Sequence, residues 1–216
     1  MKIVLIEDHK LIRDMLVVAC RQAVPKSSVS GATTLAEGLQ LCKSANPDLL
    51  FLDLELPDGD GLDFLPELTA AAPKVKVILL TSHADEFTLH RALRASVHGF
   101  IDKTEQPLDV LKEAISTVMG GQQYFSTVAQ RLKASLQSDP EAFSKLLTDR
   151  EQDLLRLMGE GLTNEQIAKK TGINPTTVKG HRRNIMGKLG FHTTVELIQY
   201  AVEKGFSRIG KRSAAI

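Results

Sequence analysis

The run DLLFLD at residues 48–53 decides the fold of the first half of this chain. Its four apolar side chains follow one another without alternation, so a strand formed here is buried on both faces. Similar short runs flank it at intervals that leave room for helices: IVLI (3–6), SVSGA (28–32), VKVILLT (75–81) and HGFID (98–102). Buried strands that alternate with helices predict a parallel sheet covered on both faces. We therefore expect a doubly wound α/β domain of five strands and five helices.

The composition bounds the class of protein. With 216 residues, of which 43% are hydrophobic, the chain is long enough for two small domains. Cys20 and Cys42 lie within apolar helical patterns and form no CxxC motif, which fits structural burial in a reducing cytosol. No stretch approaches the apolar length that spans a membrane, and no secretory signal is present. We expect a soluble, cytoplasmic protein with no membrane partner.

The net charge of +1 conceals a difference between the two parts of the chain. Residues 1–143 contain 14 Lys and Arg against 19 Asp and Glu, whereas residues 144–216 contain 13 against 7. The two parts are therefore suited to different partners. A basic C-terminal part that follows an acidic N-terminal part indicates a nucleic acid as its partner.

The C-terminal part is predicted to be all helical from residue 147. TDRE (148–151), TNEQ (163–166) and TTVE (193–196) each place Glu or Gln three residues after Thr, which is the capping-box pattern. The third helix begins instead with Asn174 as N-cap and Pro175 at the first helical position. Four glycines fall where left-handed C-caps are expected: Gly161, Gly172, Gly190 and Gly205. Four short helices, two of them joined by a tight turn, predict a helix-turn-helix arrangement with a fourth helix appended.

The segment between the two parts has fewer core signals and contains the helix breaker Asp139-Pro140. We interpret it as a linker that is helical around residues 126–137. The predicted organisation is the α/β domain at 1–121, a linker at 122–146 and a helix-turn-helix, DNA-binding domain at 147–208.

Charged and hydroxyl side chains end the predicted strands. Glu7 and Asp8 follow the first strand, Asp53 ends the third, Thr81 ends the fourth and Lys103 follows the fifth. The carboxyl ends of parallel strands meet at one edge of a sheet, so these side chains converge. Three carboxylates that lie together repel one another unless a cation joins them. A hard divalent ion with oxygen ligands meets this need, and Mg²⁺ is the abundant one.

With the ion present, Asp53 is a competent nucleophile toward a phosphoryl group, and Lys103 can hold a phosphoryl oxygen. Thr81 could donate a hydrogen bond to the resulting acyl phosphate, which would make its hydroxyl a switch. Each residue alone has a structural explanation as a helix cap, a turn residue or a solvated charge. Such residues at four strand ends, in this order, favour the functional interpretation.

These residues lie in segments that resemble the receiver domain of two-component response regulators. The resemblance spans residues 1–120 and is carried by LIEDHKLIR (5–13), PDLLFLDLELPDGDGLDFL (47–65), ILLTSH (78–83) and HGFIDK (98–103). It implies a flavodoxin-like five-stranded sheet and a sensor histidine kinase as phosphoryl donor. It also implies that Asp53 is the phosphoacceptor, Glu7 and Asp8 the acidic metal pocket, Thr81 the switch hydroxyl and Lys103 the phosphate-binding lysine.

The same resemblance assigns roles to four further positions. Phe100 matches the aromatic residue whose ring turns inward on activation, and Glu55 would offer its backbone carbonyl to the metal. Glu55 and His83 occupy variable positions that influence phosphoryl lifetime, so the sequence does not predict that lifetime. Ser96 stands where many relatives have Gly, which affects the geometry of that loop.

The third C-terminal helix has an apolar and a cationic face. Val178, Ile185 and Leu189 recur at helical spacing and are predicted to face the core. The opposite face carries the polar and basic side chains of Thr176, Lys179, Arg182 and Arg183, with Lys188 near the helix end. Such a helix fits the major groove of double-stranded DNA, where Arg and Lys reach guanine edges and phosphates. A solvated basic face is the alternative, and the charge of the whole part disfavours it.

Residues 147–191 resemble the LuxR-type helix-turn-helix domain of NarL/FixJ regulators. The resemblance places base reading on Lys179, Gly180 and Arg183. Gly180 departs from the expected pattern because it has no side chain with which to read a base. Phosphate contacts are assigned to Asn164, Thr176, Thr177, Arg182 and Lys188. Glu165 stands where relatives often carry Lys, which puts one further phosphate contact in doubt.

The fourth helix carries Val195, Ile198 and Val202 in one stripe, which is either core or a dimer seam. The family dimerises on this helix, so the resemblance implies a homodimer on activation. The sequence thus predicts a cytoplasmic transcription regulator that is not an enzyme. Two alternatives stay open: a phosphatase that turns over its aspartyl phosphate, and a regulator whose DNA affinity ignores phosphorylation.

Overall fold

The computed structural model describes residues 1–104 and 108–207, which form two compact units. The first unit comprises Met1–Ala84 and Arg91–Arg131. The second comprises Asp85–His90 and the described chain from Leu132 onward. Residue 208, the last of the predicted DNA-binding domain, lies outside the described residues.

Strands and helices alternate through most of the first 125 residues, and two short strands follow the third strand directly. The strands are β1 (Lys2–Ile6), β2 (Ser28–Ala32), β3 (Leu49–Asp53), β4 (Glu55–Leu56), β5 (Gly59–Asp60), β6 (Lys76–Thr81), β7 (Gly99–Asp102) and β8 (Tyr124–Phe125). The helices up to residue 138 are α1 (Lys10–Ala23), α2 (Leu35–Ala45), α3 (Gly61–Ala71), α4 (Glu86–Arg94), α5 (Leu108–Met119) and α6 (Thr127–Ser138).

The main sheet is parallel, with strand order β2-β1-β3-β6-β7-β8. The five predicted strands are confirmed, and the order reverses beside β1, as in other doubly wound sheets. The main sheet has one strand more than the five predicted, because β8 adds a sixth strand inside the predicted linker. This strand consists of two residues, which pair with Gly99 and Phe100, and a strand of that length shows no pattern in the sequence.

The central strands are buried on both faces, as their unbroken apolar runs predict. All five residues of β3 are buried, and Leu49 and Phe51 share one hydrophobic core with residues of α1 and α5. In the loop between α4 and β7, Ser96 has a φ of 54°, a left-handed conformation that favours glycine. The loop at this position therefore keeps a glycine-type geometry at a cost of about 1 kcal/mol.

His98 closes a backbone hydrogen bond at the start of β7. Its Nδ1 accepts from the Val77 amide at 3.1 Å, which requires a neutral imidazole with an unprotonated Nδ1. Burial, and then the charge of Lys76, lower the pKa of His98 below 6.5. The folded protein therefore binds fewer protons at this site than the unfolded chain does.

We expect the contribution of His98 to the free energy of unfolding to fall as pH drops below about 6.5, where the unfolded histidine protonates first. His98→Gln keeps an acceptor without a titrating group, so it should flatten this dependence. The difference in slope stays below the limit of about 1.4 kcal/mol per pH unit that one proton allows. Urea unfolding of both proteins at several pH values tests this, and parallel pH profiles would contradict it.

The C-terminal helices are α7 (Phe143–Leu146), α8 (Asp149–Gly159), α9 (Asn164–Thr171), α10 (Pro175–Leu189) and α11 (Thr194–Glu203). All three predicted capping boxes form, at Thr148, Thr163 and Thr193. Asn174 caps α10 with its side chain, as predicted. The four predicted glycines have φ values of 70–84°. Local sequence therefore determines where each of the four predicted helices begins and ends.

A separate hydrophobic core holds these helices together. Leu154 and Leu155 of α8, Ile167 of α9, Ile185 of α10 and Leu197 of α11 are fully buried within it. Within the described residues, every helix is too short or too polar to cross a bilayer.

Candidate functional site

The five side chains predicted to converge lie at the carboxyl edge of the first unit. Glu7, Asp53 and Thr81 are buried, Asp8 is partly exposed, and Lys103 has only 5% of its side chain exposed. They reach this edge because β1, β3, β6 and β7 are parallel neighbours that end at similar heights. The predicted convergence is therefore present.

Lys103 joins two of the carboxylates. Its Nζ lies 2.7 Å from Asp53 Oδ2 and 2.8 Å from Glu7 Oε2. Its backbone amide donates to the carbonyl of Thr81, at 2.7 Å, which anchors the β7–α5 loop beside β6. One buried cation thus offsets two buried anions, which leaves the local charge negative.

Asp53 titrates in an unusual range because of this setting. Burial raises its pKa to about 6, against the opposing effect of the Lys103 charge and with a further increase from Glu7. Its other carboxylate oxygen, Oδ1, accepts weakly from the Glu55 amide at 3.3 Å. A buried carboxylate with few hydrogen bonds is poorly solvated, and this makes it a more reactive nucleophile than an exposed one.

The acidic residues leave room for a cation. Ligand atoms of Glu7, Asp8, His9 and Asp53 all lie within 4.8 Å of one another. Glu7 Oε2 and Asp8 Oδ1 are buried and lack a hydrogen bond within the described residues, although Lys103 and His9 Nδ1 lie near them. Buried carboxylate oxygens in this state are the donors that a hard divalent ion prefers. The donor set therefore fits Mg²⁺, and His9 is a neighbour that the sequence reasoning missed.

The two predicted switch residues, Thr81 and Phe100, lie on the neighbouring strands β6 and β7. The Thr81 hydroxyl accepts from the His83 amide at 3.0 Å, and Phe100 is fully buried on the neighbouring strand. His83 Nε2 lies 3.4 Å from Glu55 Oε1, so the two variable positions contact each other over the site. This contact joins residues 28 positions apart, and no local pattern reveals it.

The loop after β3 is held at several points. A Cβ at Gly61 would overlap the backbone carbonyl of Asp53, so only glycine fits there. Asp58 accepts from two amides at the start of α2, and Asp60 caps α3. Arg91 of α4 binds Asp60 through two nitrogens, at 2.9 and 3.0 Å. These contacts fix the segment that carries Glu55, and sequence reasoning missed all of them.

In the second unit, α9 and α10 form a helix-turn-helix pair joined by residues 172–174. Val178 and Ile185 are buried, as predicted, and Leu189 packs at the edge of the core. Five predicted DNA-contacting residues are exposed on α10: Thr176, Thr177, Lys179, Arg183 and Lys188. Gly180 sits between them, and open space surrounds the position its Cβ would occupy.

Arg182 and Lys188 of α10 are engaged within the domain, and Arg182 binds a third predicted DNA contact, Asn164. Arg182 Nε donates to Asn164 Oδ1 at 3.1 Å, and its Nη2 donates to the carbonyl of Leu162 at 3.4 Å. Desolvation lowers the pKa of this guanidinium, although it stays charged in any ordinary buffer. Arg182 and Asn164 therefore join α10 to the start of α9.

Lys188 is the second of these residues. Its Nζ donates to Glu151 Oε2 at 2.7 Å. Glu151 also belongs to the capping box of α8, and burial opposes its ionisation. The hydrogen bonds from Lys188 and Thr148 outweigh that effect and hold the Glu151 pKa below 4.5.

The stripe on α11 lies off the core. This helix buries Leu197 and Ala201, while Val195 is 64% exposed and Ile198 and Val202 are partly exposed. Of the two interpretations that the sequence left open, core packing is therefore wrong for Val195.

Comparison with known proteins agrees with this geometry. Residues 3–116 match the family described as response regulator receiver domain, and residues 145–201 match the bacterial regulatory proteins of the luxR family. The chain belongs to the response regulators that join a receiver domain to a LuxR-type DNA-binding domain.

Individual relatives cover nearly the whole chain. It is 32% identical over 211 residues to the DNA-binding transcriptional activator DevR/DosR of Mycobacterium tuberculosis, covering 96% of each chain. It is 30% identical over 200 residues to the fimbriae Z protein of Escherichia coli K12, covering 92% of this chain and 95% of that protein.

Among solved structures, RcsB of Salmonella enterica serovar Typhimurium, bound to a promoter with the phosphomimetic BeF3−, has a similar fold. The TM-score is 0.65 at 22% identity, covering 95% of this chain and 98% of the other.

Proposed function

We propose that this response regulator is switched by phosphorylation of Asp53 by a sensor histidine kinase. The observation that carries the proposal is the cluster at the strand ends, where Lys103 pairs with Asp53 and Glu7 at 2.7 and 2.8 Å. A purely structural ion pair needs one carboxylate. Here the lysine shares two, and Asp8 stands beside them as a third, which suits a site that accepts further positive charge and then a phosphoryl group.

In the proposed reaction, a carboxylate oxygen of Asp53 attacks the phosphorus of a phosphohistidine on the kinase. The P–N bond breaks, the imidazole nitrogen keeps the electron pair, and an acyl phosphate forms on Asp53. Lys103 exchanges its contact with Asp53 for a phosphoryl oxygen. Thr81 turns its hydroxyl from the His83 amide to donate to the same phosphoryl group.

Glu7, Asp8 and Asp53, with the backbone carbonyl of Glu55, would hold the Mg²⁺ that this chemistry needs. When bound, the ion supplies neutralisation of the charge that develops on the phosphoryl oxygens. The grouping of carboxylate oxygens of Glu7, Asp8 and Asp53 within 4.8 Å of one another, with Lys103 as the one lysine that the described residues place among them, supports this assignment.

DNA contact is assigned to the exposed face of α10. Lys179 and Arg183 read bases, Gly180 leaves open space between them, and the hydroxyls of Thr176 and Thr177 bind phosphates. Asn164, Arg182 and Lys188 reach phosphates only by giving up their present partners in the domain. The pairing of these three residues therefore reduces the number of contacts that are available without rearrangement.

Dimerisation follows from the exposed stripe of Val195, Ile198 and Val202, which would pair two copies on α11. Phosphorylation shifts Thr81 and the ring of Phe100, which is already buried here, and the change reaches the surface around α4. An activated homodimer then presents two copies of α10 to paired half-sites of double-stranded DNA.

The domain bounds proposed for these functions are 1–121 for the receiver, 122–146 for the linker and 147–208 for the DNA-binding domain. The relatives are transcription regulators, so the acyl phosphate acts as a signal and not as a turnover intermediate. With DNA and a histidine kinase as its proposed partners, the proposed location is the cytoplasm.

The test is DNA affinity with and without phosphorylation. A duplex selected from a random library is titrated with the full chain before and after treatment with acetyl phosphate and Mg²⁺. Coupling of 1–3 kcal/mol corresponds to roughly 5- to 150-fold tighter binding after phosphorylation. Equal affinities, with the phosphoryl adduct present by mass, would favour the regulator whose DNA binding ignores phosphate.

A further inference from the structure

Arg13 of α1 makes an unusual pair of contacts with the acidic pocket. Its Nη1 donates to the backbone carbonyl of Glu7 at 2.6 Å and to that of Asp8 at 3.2 Å. The arginine therefore binds the main chain of the two acidic residues and leaves their carboxylates to the pocket.

These two carbonyls belong to the peptide groups on either side of the Asp8 Cα. Each peptide group is planar, so the direction of its carbonyl is set by a single backbone torsion. The Glu7 carbonyl reports φ of Asp8 and the Asp8 carbonyl reports ψ. Because one nitrogen holds both oxygens, Arg13 restricts both torsions and with them the direction of the Asp8 side chain.

Asp8 needs such support more than its neighbours do. Glu7 and Asp53 are buried and paired with Lys103, whereas the Asp8 side chain is 31% exposed. Its near neighbour His9 Nδ1, at 2.9 Å, belongs to a side chain that is 70% exposed. Neither packing nor an ion pair to lysine therefore holds this carboxylate among the described residues.

The Arg13 side chain passes directly over Gly31 of β2. A Cβ at Gly31 of β2 would lie 3.2 Å from Arg13 Cδ, closer than ordinary contact. The missing side chain at Gly31 leaves the space through which the Arg13 side chain reaches the loop between β1 and α1.

We infer that Arg13 is a positioning residue that presets Asp8 for the divalent cation required by phosphorylation of Asp53. The inference rests on the function proposed above and extends it to a residue that touches neither metal nor phosphate. Partners of this kind typically contribute about 10- to 100-fold to metal affinity.

The test is the Kd for Mg²⁺, measured by calorimetry on the full chain. Arg13→Met removes both hydrogen bonds but keeps the length of the side chain, and we expect its Kd to rise at least about tenfold. Arg13→Lys, which can reach one carbonyl, should lie between this variant and the wild type. At saturating Mg²⁺ the rate of phosphorylation by acetyl phosphate should return close to the wild-type rate, because Arg13 contacts neither Asp53 nor the phosphoryl group.

Two further variants separate positioning from charge and from folding. Arg21→Met removes a positive charge from the last turn of the same helix and should leave the Kd unchanged. Gly31→Ala crowds Arg13 without removing it and should also raise the Kd for Mg²⁺. It takes the place of Arg13→Met if that variant proves too unstable to measure. In metal-free protein, hydrogen exchange at the His9 amide, which donates to Glu7 Oε1, should quicken in Arg13→Met.

An unchanged Mg²⁺ affinity in Arg13→Met would overturn the inference, as would an equal loss in Arg21→Met. Both results leave the proposed function intact, since the wild type still binds Mg²⁺ and forms its adduct. Failure of the wild type to bind Mg²⁺ or to form an adduct would instead remove the proposed function.

Discussion

Replacing Asp53 by Asn is expected to abolish the single phosphoryl adduct that the wild type forms with acetyl phosphate and Mg²⁺. The amide oxygen of asparagine is a poor nucleophile, and the acyl phosphate needs a carboxylate. The loss should be complete within the sensitivity of intact-mass spectrometry. Phosphate-dependent DNA binding should disappear with it.

Asp58→Asn is the matched control for this experiment. Asp58 lies in the same loop but binds the Leu35 and Ala36 amides at the start of α2, at 2.9 and 3.0 Å. It therefore has no part in the cluster around Lys103, and its variant should keep the adduct. An adduct on Asp53→Asn, or its loss from both variants, would contradict the assignment.

The stability of Asp53→Asn provides a second check on the same residue. Burial raises the pKa of Asp53 to about 6, which means that the fold disfavours the ionised form. At neutral pH the neutral asparagine avoids that cost, so the variant should unfold at a temperature no lower than the wild type does. Loss of the adduct would then report lost chemistry and not lost folding.

Arg183→Ala is expected to weaken DNA binding by roughly 10- to 100-fold, since a bidentate base contact is worth about 1–3 kcal/mol. Arg183 is exposed on α10, and its loss should leave thermal unfolding unchanged. Fluorescence polarisation with a labelled duplex measures the affinity. Binding to mismatched sites should fall less, because phosphate contacts remain.

The adjacent residue is the natural control. Arg182→Ala removes the hydrogen bonds to Asn164 and Leu162, so it should destabilise the second unit by about 1–3 kcal/mol. If Arg183→Ala lowered stability while Arg182→Ala lowered only DNA affinity, the two assignments would have to be exchanged.

Much of this organisation was readable in the sequence because it depends on near neighbours in the chain. A capping box joins a Thr to a Glu or Gln three residues later, and a left-handed glycine ends a helix at its own position. The sequence therefore predicts the boundaries of α8, α9 and α11. The unbroken apolar runs predicted a doubly covered parallel sheet. Because parallel strands end at the same edge of a sheet, the sequence also predicts that Asp53, Thr81 and Lys103 converge.

The sixth strand was missed for a related reason. Its two residues, Tyr124 and Phe125, pair with β7 after a chain excursion through α5, and a pair of residues has no periodicity. Similarly, the contact between His83 and Glu55 depends on the height at which β3 and β6 end. Neither feature leaves a local signal.

The sequence by itself determined the element types, their caps and the set of chemical groups at the strand ends, because each depends on local spacing or on strand polarity. The tertiary structure alone decided which charges neutralise one another. Lys188 and Arg182 are residue types that bind DNA, but in the fold they bind Glu151 and Asn164. These partners lie 37 and 18 residues away in the chain, so no local pattern reveals them. Ion pairs act through space over a few ångströms, so only the packing of helices determines which charge on a helix stays available for a partner.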